Sequence, residues 1–511
     1  MRRIALLGAV ALALGVVAAF AWTSKPAPGP ASSSAGTVTA VTSVTRSCPP
    51  AAPGEKADHI SMIAVPSQTA AAKGSTAASA GSATLTAVPA VAAAPAATKS
   101  AKGKQTKANP ATTTPAKTTS VTASEPTGPV TVSEPATATT VTAPSSGAAD
   151  GTALAATGRM AEGFEAEQST SAGLGLVSCS HPSSDMWFVG AGAPNVRLYL
   201  TNTGDLAASV NVNILTDTGQ QDGLANAITV APDQVVEENV APYVHGAQAV
   251  AMEVQTSSGQ VAAAVWESGA TGGGAWVPQS AEPSTTLVIP GLTVASSAAR
   301  LFVTVPGQAD ARVKVVAYTP AGAFPQFASV PVQASAGATT PVTLSSLGAS
   351  AAGLKLTSNV PIVAGVLVAG TGIGSFTTSV APVSEQGVVA GNPASAGLTV
   401  GLLLTAPGAA AAASVSVVSA DGTVTAPAGL QDMAVAAGRT VAVTVPRPPG
   451  RQPFSIVLTP SADSGPLYAA RVVTSGSGGL AASLVSLLPV QSALTEITLP
   501  SVQNSYTAVL P

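Results

Sequence analysis

Glu162, Glu165 and Glu167 stand around Phe164 in a chain whose charged residues make up only 9% of the total. Paired carboxylates are the chemistry of glycoside hydrolysis, which needs two acids about 5–9 Å apart in a cleft, one of them kept protonated. On a strand, Glu165 and Glu167 would share one face at a separation of about 7 Å. The same spacing occurs on any strand with a polar outer face, and the cluster reads as a solvated face. "DTGQQDG" (Asp217 to Gly223) has the outline of a calcium loop. Calcium takes six to eight oxygens from a dense acidic loop. Two Asp do not supply them, so the segment reads as a hairpin turn with Gly at positive φ.

Cys179 and His181 would suit a metal, but a structural zinc site needs four ligands. The chain's 3 His (His59, His181, His245) and 2 Cys are scattered along it. No G-x-S-x-G elbow accompanies them. "TGGGAW" from Thr271 opens no helix and reads as a loop. No catalytic residue, cofactor or metal site is therefore expected, and the chain reads as a non-enzyme. Cys48 and Cys179 are expected to form a disulfide, because they lie at the two ends of one repeat unit.

That unit is the larger signal. "LYLTNTG" (Leu198 to Gly204), "FVTVPG" (Phe302 to Gly307) and "LLTAPG" (Leu403 to Gly408) recur at about 100 residues. Each is followed by an alternating run, "SVNVNI", "RVKVVA" or "SVSVVS", and then by a turn Gly at 219, 322 or 422. Glu167 falls on Glu267, and Leu176, Trp276 and Phe376 keep the same period. Val210, Val212 and Ile214 would face a core, with Asn211 and Asn213 outward. Seven or eight short strands in about 100 residues predict an all-β chain of tandem immunoglobulin-like β-sandwich modules. A β-propeller is the alternative, although a blade needs only about 40–50 residues.

The expected layout follows from that period. Residues 46–180 form a degenerate first sandwich, opened by "HISMIAV" and "ATLTAV" and interrupted by a disordered insertion over 91–150. Three regular repeats follow at 181–280, 281–381 and 382–492. Residues 493–511 carry capping strands, and the modules are expected to form a row. The insertion holds Lys99, Lys102, Lys104, Lys107 and Lys117 without an acid, and reads as a solvated linker.

Arg2 and Arg3 precede an uncharged apolar stretch over 4–22, long enough to cross a bilayer. Residues 1–22 are read as a signal anchor or a cleaved signal peptide, and 23–45 as a Pro/Ala/Ser/Thr-rich spacer. The bulk of the chain is then extracellular, membrane-held through residues 4–22, or secreted if the segment is cleaved. A net charge of −3 argues against nucleic acid as a partner.

"SCSHPSSDMWFVGAG" (Ser178 to Gly192), followed by "LYLTNTGDLAASVNV", resembles a family of exported, membrane-anchored actinobacterial proteins known only as a domain of unknown function. That family places a Cys, an aromatic-Phe-Val-Gly-Gly run and an Asn-x-Gly turn in this order. Ala191 stands here where the second Gly is expected. The resemblance implies export and lends no activity. The expected role is a structural or protein-interaction scaffold of the cell envelope, with an envelope protein as partner. Binding of cell-wall polysaccharide is the alternative. It would need exposed aromatics, whereas Trp187, Trp266 and Trp276 lie where a core is expected.

Overall fold

The computed structural model describes residues 37–54, 58–66, 80–92, 128–143, 150–170, 175–221, 224, 227–269, 273–293, 299–327, 330–344, 351–368, 374–481 and 483–499. The apolar stretch over 4–22 and the lysine tract lie outside them. Among the described residues the chain is all strand and loop, apart from three short 3-10 turns. No helix there is long and apolar enough to cross a membrane.

The second repeat shows how the sequence makes these strands. Val210, Val212 and Ile214 are buried, and the Asn residues between them are half-buried, over Ala208–Thr216. Branched side chains at every second position suit a pleat with one packed face. The chain turns back through a hairpin in which Thr216 opposes Gly219, and Gly219 takes φ +110°. Thr319 opposes Gly322 in the same way one period later. Both turns need a residue that tolerates positive φ, which glycine does at no steric cost.

Eight strand positions recur in each repeat. In the first they are Ser43–Cys48, Asp58–Ile63, Ala83–Val88, Val130–Val132, Thr139–Thr142, Gly151–Thr157, Glu165–Thr170 and Val177–Ser178. Positions 1, 6, 3 and 4 make one antiparallel sheet, and positions 8, 7, 2 and 5 make the other. The second, third and fourth repeats follow the same order, with position 4 split into two short pieces. In the third, one long strand, Ala352–Val368, supplies positions 6 and 7 and so enters both sheets. Each pair of sheets encloses its own apolar core. A repeat is therefore two sheets around a core, and not the single sheet of a propeller blade. By itself, Thr37–Ala40 pairs with Glu496–Leu499 in a two-stranded sheet.

Two expectations change. The segment 91–150 contains the strands Val130–Val132 and Thr139–Thr142, and its first residues belong to Ala90–Ala92, which pairs in parallel with Gln234–Asn239. Short Val/Thr runs lack the apolar content to nucleate a core, but they can add to the edge of a sheet that exists already. The supposed spacer over 23–45 likewise ends in strand, since the first sheet pair begins at Ser43.

The sheet pairs also do not form a row. At each junction the start of the position-5 strand meets the end of the position-3 strand of the pair before it. Val235 N donates to Pro89 O at 2.9 Å. Thr339 Oγ1 donates to Leu215 O at 2.8 Å. The Arg439 guanidinium donates to Pro320 O. The fourth such contact closes the cycle: Ala138 N, in the first pair, donates to Ser419 O in the last, at 3.3 Å. First and fourth pairs are thus neighbours, joined as the consecutive ones are.

Candidate functional site

The glutamate cluster lies at the closing junction. On Glu165–Thr170, Ala166 points into the first core while Glu165 and Glu167 point away from it. That outer face does not meet water. The fourth pair's strand Gly387–Asn392 packs against it, and Glu162, Glu165 and Glu167 are all buried. The solvated-face reading is therefore corrected. A strand's local pattern reports which residues share a face, and not what covers that face.

Buried carboxylates need partners, and each of these two has an arginine. Arg46 donates to Glu165 and, through the same nitrogen, to Phe164 O at 3.3 Å. Arg471 Nη1 donates to Glu167 Oε2 at 2.9 Å and to Gly391 O at 2.7 Å. Gly391 N returns a hydrogen bond to Glu167 Oε2 at 3.2 Å. The approach at Gly391 is close: a Cβ there would lie 3.0 Å from Ser61 Cβ, so any larger residue would have to push Ser61 aside. Arg471 is fully buried, and its Nε and Nη2 make no hydrogen bond.

Between these groups lies a cavity of about 50 Å³, lined by Arg46, Glu165, Glu167, His181, Trp276 and Arg471 among others. That is room for a few water molecules. Burial pushes Glu165 up to about 7 against the pull of Arg46, and neighbouring Glu167 adds to the rise. Burial likewise raises Glu167, with Arg471 opposing. Burial and then Arg46 hold His181 below its ordinary value.

Cys48 and Cys179 are joined in a disulfide, Cα to Cα 4.3 Å, both fully buried in the first core. The bond ties the first strand position to the exit from the eighth. Elsewhere the same link is a backbone pairing: Trp187 opposes Ser280, and Gly387 bridges Ser492. Among the described residues no three His, Cys, Asp or Glu side chains are grouped to hold a metal ion. Asp217 sits in the hairpin, where its carboxylate accepts from Gln248 N at 2.9 Å. Trp187, Trp266 and Trp276 are buried, the last two edge to face at 5.0 Å between centroids.

Arg46 and Arg471 were not singled out in the sequence, and Glu267 was noted only as the period partner of Glu167. A signal existed for two of them: Arg471 interrupts the apolar run "YAARVV", and Glu267 ends "AAAVWE". Glu267 is fully buried and its Oε2 accepts from Ala191 N at 3.1 Å. Burial pushes it up to about 7, although the amides of residues 191–193 pull the other way.

What this arrangement defines is an all-β protein of several separate antiparallel sheets, whose concentrated charge is spent on joining distant parts of one chain. The chain belongs to the family of unknown function DUF5719, whose model matches residues 130–446. The match takes in the aromatic run after Cys179, and begins well downstream of Cys48. No curated protein matches the chain, and no solved structure does.

Proposed function

We propose that this protein is a non-enzymatic scaffold of the cell envelope. In this reading it stands outside the cytoplasm on an N-terminal membrane segment over 4–22, and its sheet pairs are immunoglobulin-like modules that present loops to an envelope protein. One observation carries the reading: the carboxylates best placed for acid–base work are sealed at a junction and engaged by Arg46 and Arg471. A general acid must reach its substrate, and a cavity of about 50 Å³ admits none of useful size. The Cys48–Cys179 disulfide supports an oxidising compartment. The burial of Trp187, Trp266 and Trp276 weighs against stacking on wall polysaccharide.

The test is photo-crosslinking in intact cells. A crosslinking residue is placed in turn at Leu206, Phe324 and Val424, which are exposed. A reproducible adduct with one envelope protein is expected from at least one position. Retention of the purified protein on wall glycan, abolished by Trp→Ala changes, would replace the scaffold with the polysaccharide reading. Turnover of a glycan lost in Glu165→Gln would overturn the non-enzymatic assignment.

A further inference from the structure

The position-5 strand is the last of its own pair's sheet in all four repeats, and the four edges differ in what they offer. In an antiparallel ladder every second residue bonds the partner strand, and the residues between turn their N–H and C=O outward. In the fourth pair Val445 N donates to Val400 O at 3.0 Å, and the register runs unbroken along Arg439–Thr444. Val443 and Val441 therefore bond inward, while Thr440, Ala442 and Thr444 turn outward. The same anchor recurs as Val240 N to Val196 O at 2.9 Å in the second pair and as Leu344 N to Ala299 O at 3.0 Å in the third. Ala442 is thus the counterpart of Glu237 and of Pro341.

In the second pair the outward groups are used. Ala90–Ala92 adds in parallel to Gln234–Asn239, with Val235 N donating to Pro89 O at 2.9 Å, and Val236, opposite Val91, is buried. In the third pair Pro341 stands at an outward position and has no N–H to offer, which is one way natural sheets close an edge. The first pair's edge, Thr139–Thr142, has only 4 residues. The fourth pair's edge has 6 residues and no proline. Among the described residues no strand pairs with its outward side. Arg439 covers its start alone, by donating to Pro320 O. Val441, the counterpart of Val236, is left half-buried, and Thr444 is exposed.

We infer that Arg439–Thr444 is a docking edge for an extended segment of a protein partner, which adds in parallel as Ala90–Ala92 does in the second pair. The inference rests on the scaffold reading and names the place where the envelope partner attaches. Main-chain groups of Ala442 and Thr444 supply the hydrogen bonds, and side chains set what fits. Val441 and Val443 share one face of the strand and Ala442 takes the other. The segment therefore carries small or β-branched residues, with no proline where its N–H must meet the edge. Ala-Val-Ala over 90–92 is a sequence of that kind.

The experiment is photo-crosslinking of the full chain in intact cells, with the crosslinking residue at Arg439 and, separately, at Thr444. Both are expected to attach to one short segment of one envelope protein. The point reached from Thr444 should lie about five residues after the point reached from Arg439, because parallel strands advance in step. Ala442→Pro should lower the yield from both positions at least about tenfold, by removing an outward N–H. It should not lower the melting temperature, since no internal hydrogen bond is lost and Pro341 fills this place in the third pair. The order of the two attachment points is read without that variant, so it decides the matter even if Ala442→Pro does not fold. Reversed order, attachment to unrelated segments, capture of a second copy of this chain, or adducts undiminished in a folded Ala442→Pro would each overturn the docking edge. Adducts from Leu206, Phe324 or Val424 with none from Arg439 or Thr444 would overturn it too and leave the scaffold reading standing. Capture of no envelope protein from any of the five positions would remove both.

Discussion

Arg471 and Glu167 are 304 residues apart in sequence and 2.9 Å apart in space, with both side chains buried. The pair sits on position-7 strands of the last and first sheet pairs and spans the one junction that chain connectivity does not impose. Arg471→Met should leave an uncompensated charge on Glu167 and cost about 3–5 kcal/mol. Arg471→Met combined with Glu167→Gln should recover most of that loss. Urea unfolding of the three proteins measures both quantities. If the single variant lost less than about 1 kcal/mol, the pair would not hold the junction.

The disulfide closes a loop of sequence separation 131 that contains the long insertion. Loop-closure entropy puts its worth at about 4–5 kcal/mol. Cys48→Ser with Cys179→Ser should therefore unfold the first sheet pair at much lower denaturant, with the second to fourth pairs less affected. Intrinsic fluorescence reports mainly the second pair, where Trp187, Trp266 and Trp276 lie. Exchange over 43–48 and 151–157 reports the first. Unchanged exchange there would refute the assignment of a stabilising role.

Glu267 is pushed up to about 7 in the folded chain. Its folded pKa lies above its unfolded one, so its contribution is fully present below about pH 4.5. It is lost as pH rises through about 7. The change amounts to about 3 kcal/mol at the stated shift. Glu267→Gln should flatten this part of the stability profile, measured as the melting temperature against pH. A profile in the variant parallel to the wild type would show that Glu267 does not titrate in this window.

The insertion divides into parts with different consequences. Removing residues 95–126 should change the melting temperature by less than about 2 °C, since the composition there cannot offset about 1–2 kcal/mol of backbone entropy per ordered residue. Removing 95–148 also deletes the strands Val130–Val132 and Thr139–Thr142 and the contact from Ala138 to Ser419. That deletion should lower the melting temperature by more than about 5 °C. Equal effects of the two deletions would mean that neither strand supports the first sheet pair.

The repeat was legible from residue spacing alone, because strand alternation and turn glycines are local. Val210, Val212 and Ile214 alternate for the same reason in any sheet, and Gly219 is needed wherever that hairpin forms. The position of Cys48 and Cys179 at the ends of one unit followed from the period. The strand Val130–Val132 was hidden, because three residues of Val and Thr look like their low-complexity surroundings until a sheet edge receives them. Nothing local could show what covers Glu165 and Glu167. Their alternation puts them on one face, and a polar face on a strand is ordinarily wet. Only the return of the last sheet pair to the first makes that face an interior. That return depends on packing between residues some three hundred positions apart, for which a chain carries no nearby signature. The same packing turns an apparent row into a cycle, and makes Arg471, an oddity in an apolar strand, the partner of an acid in another repeat.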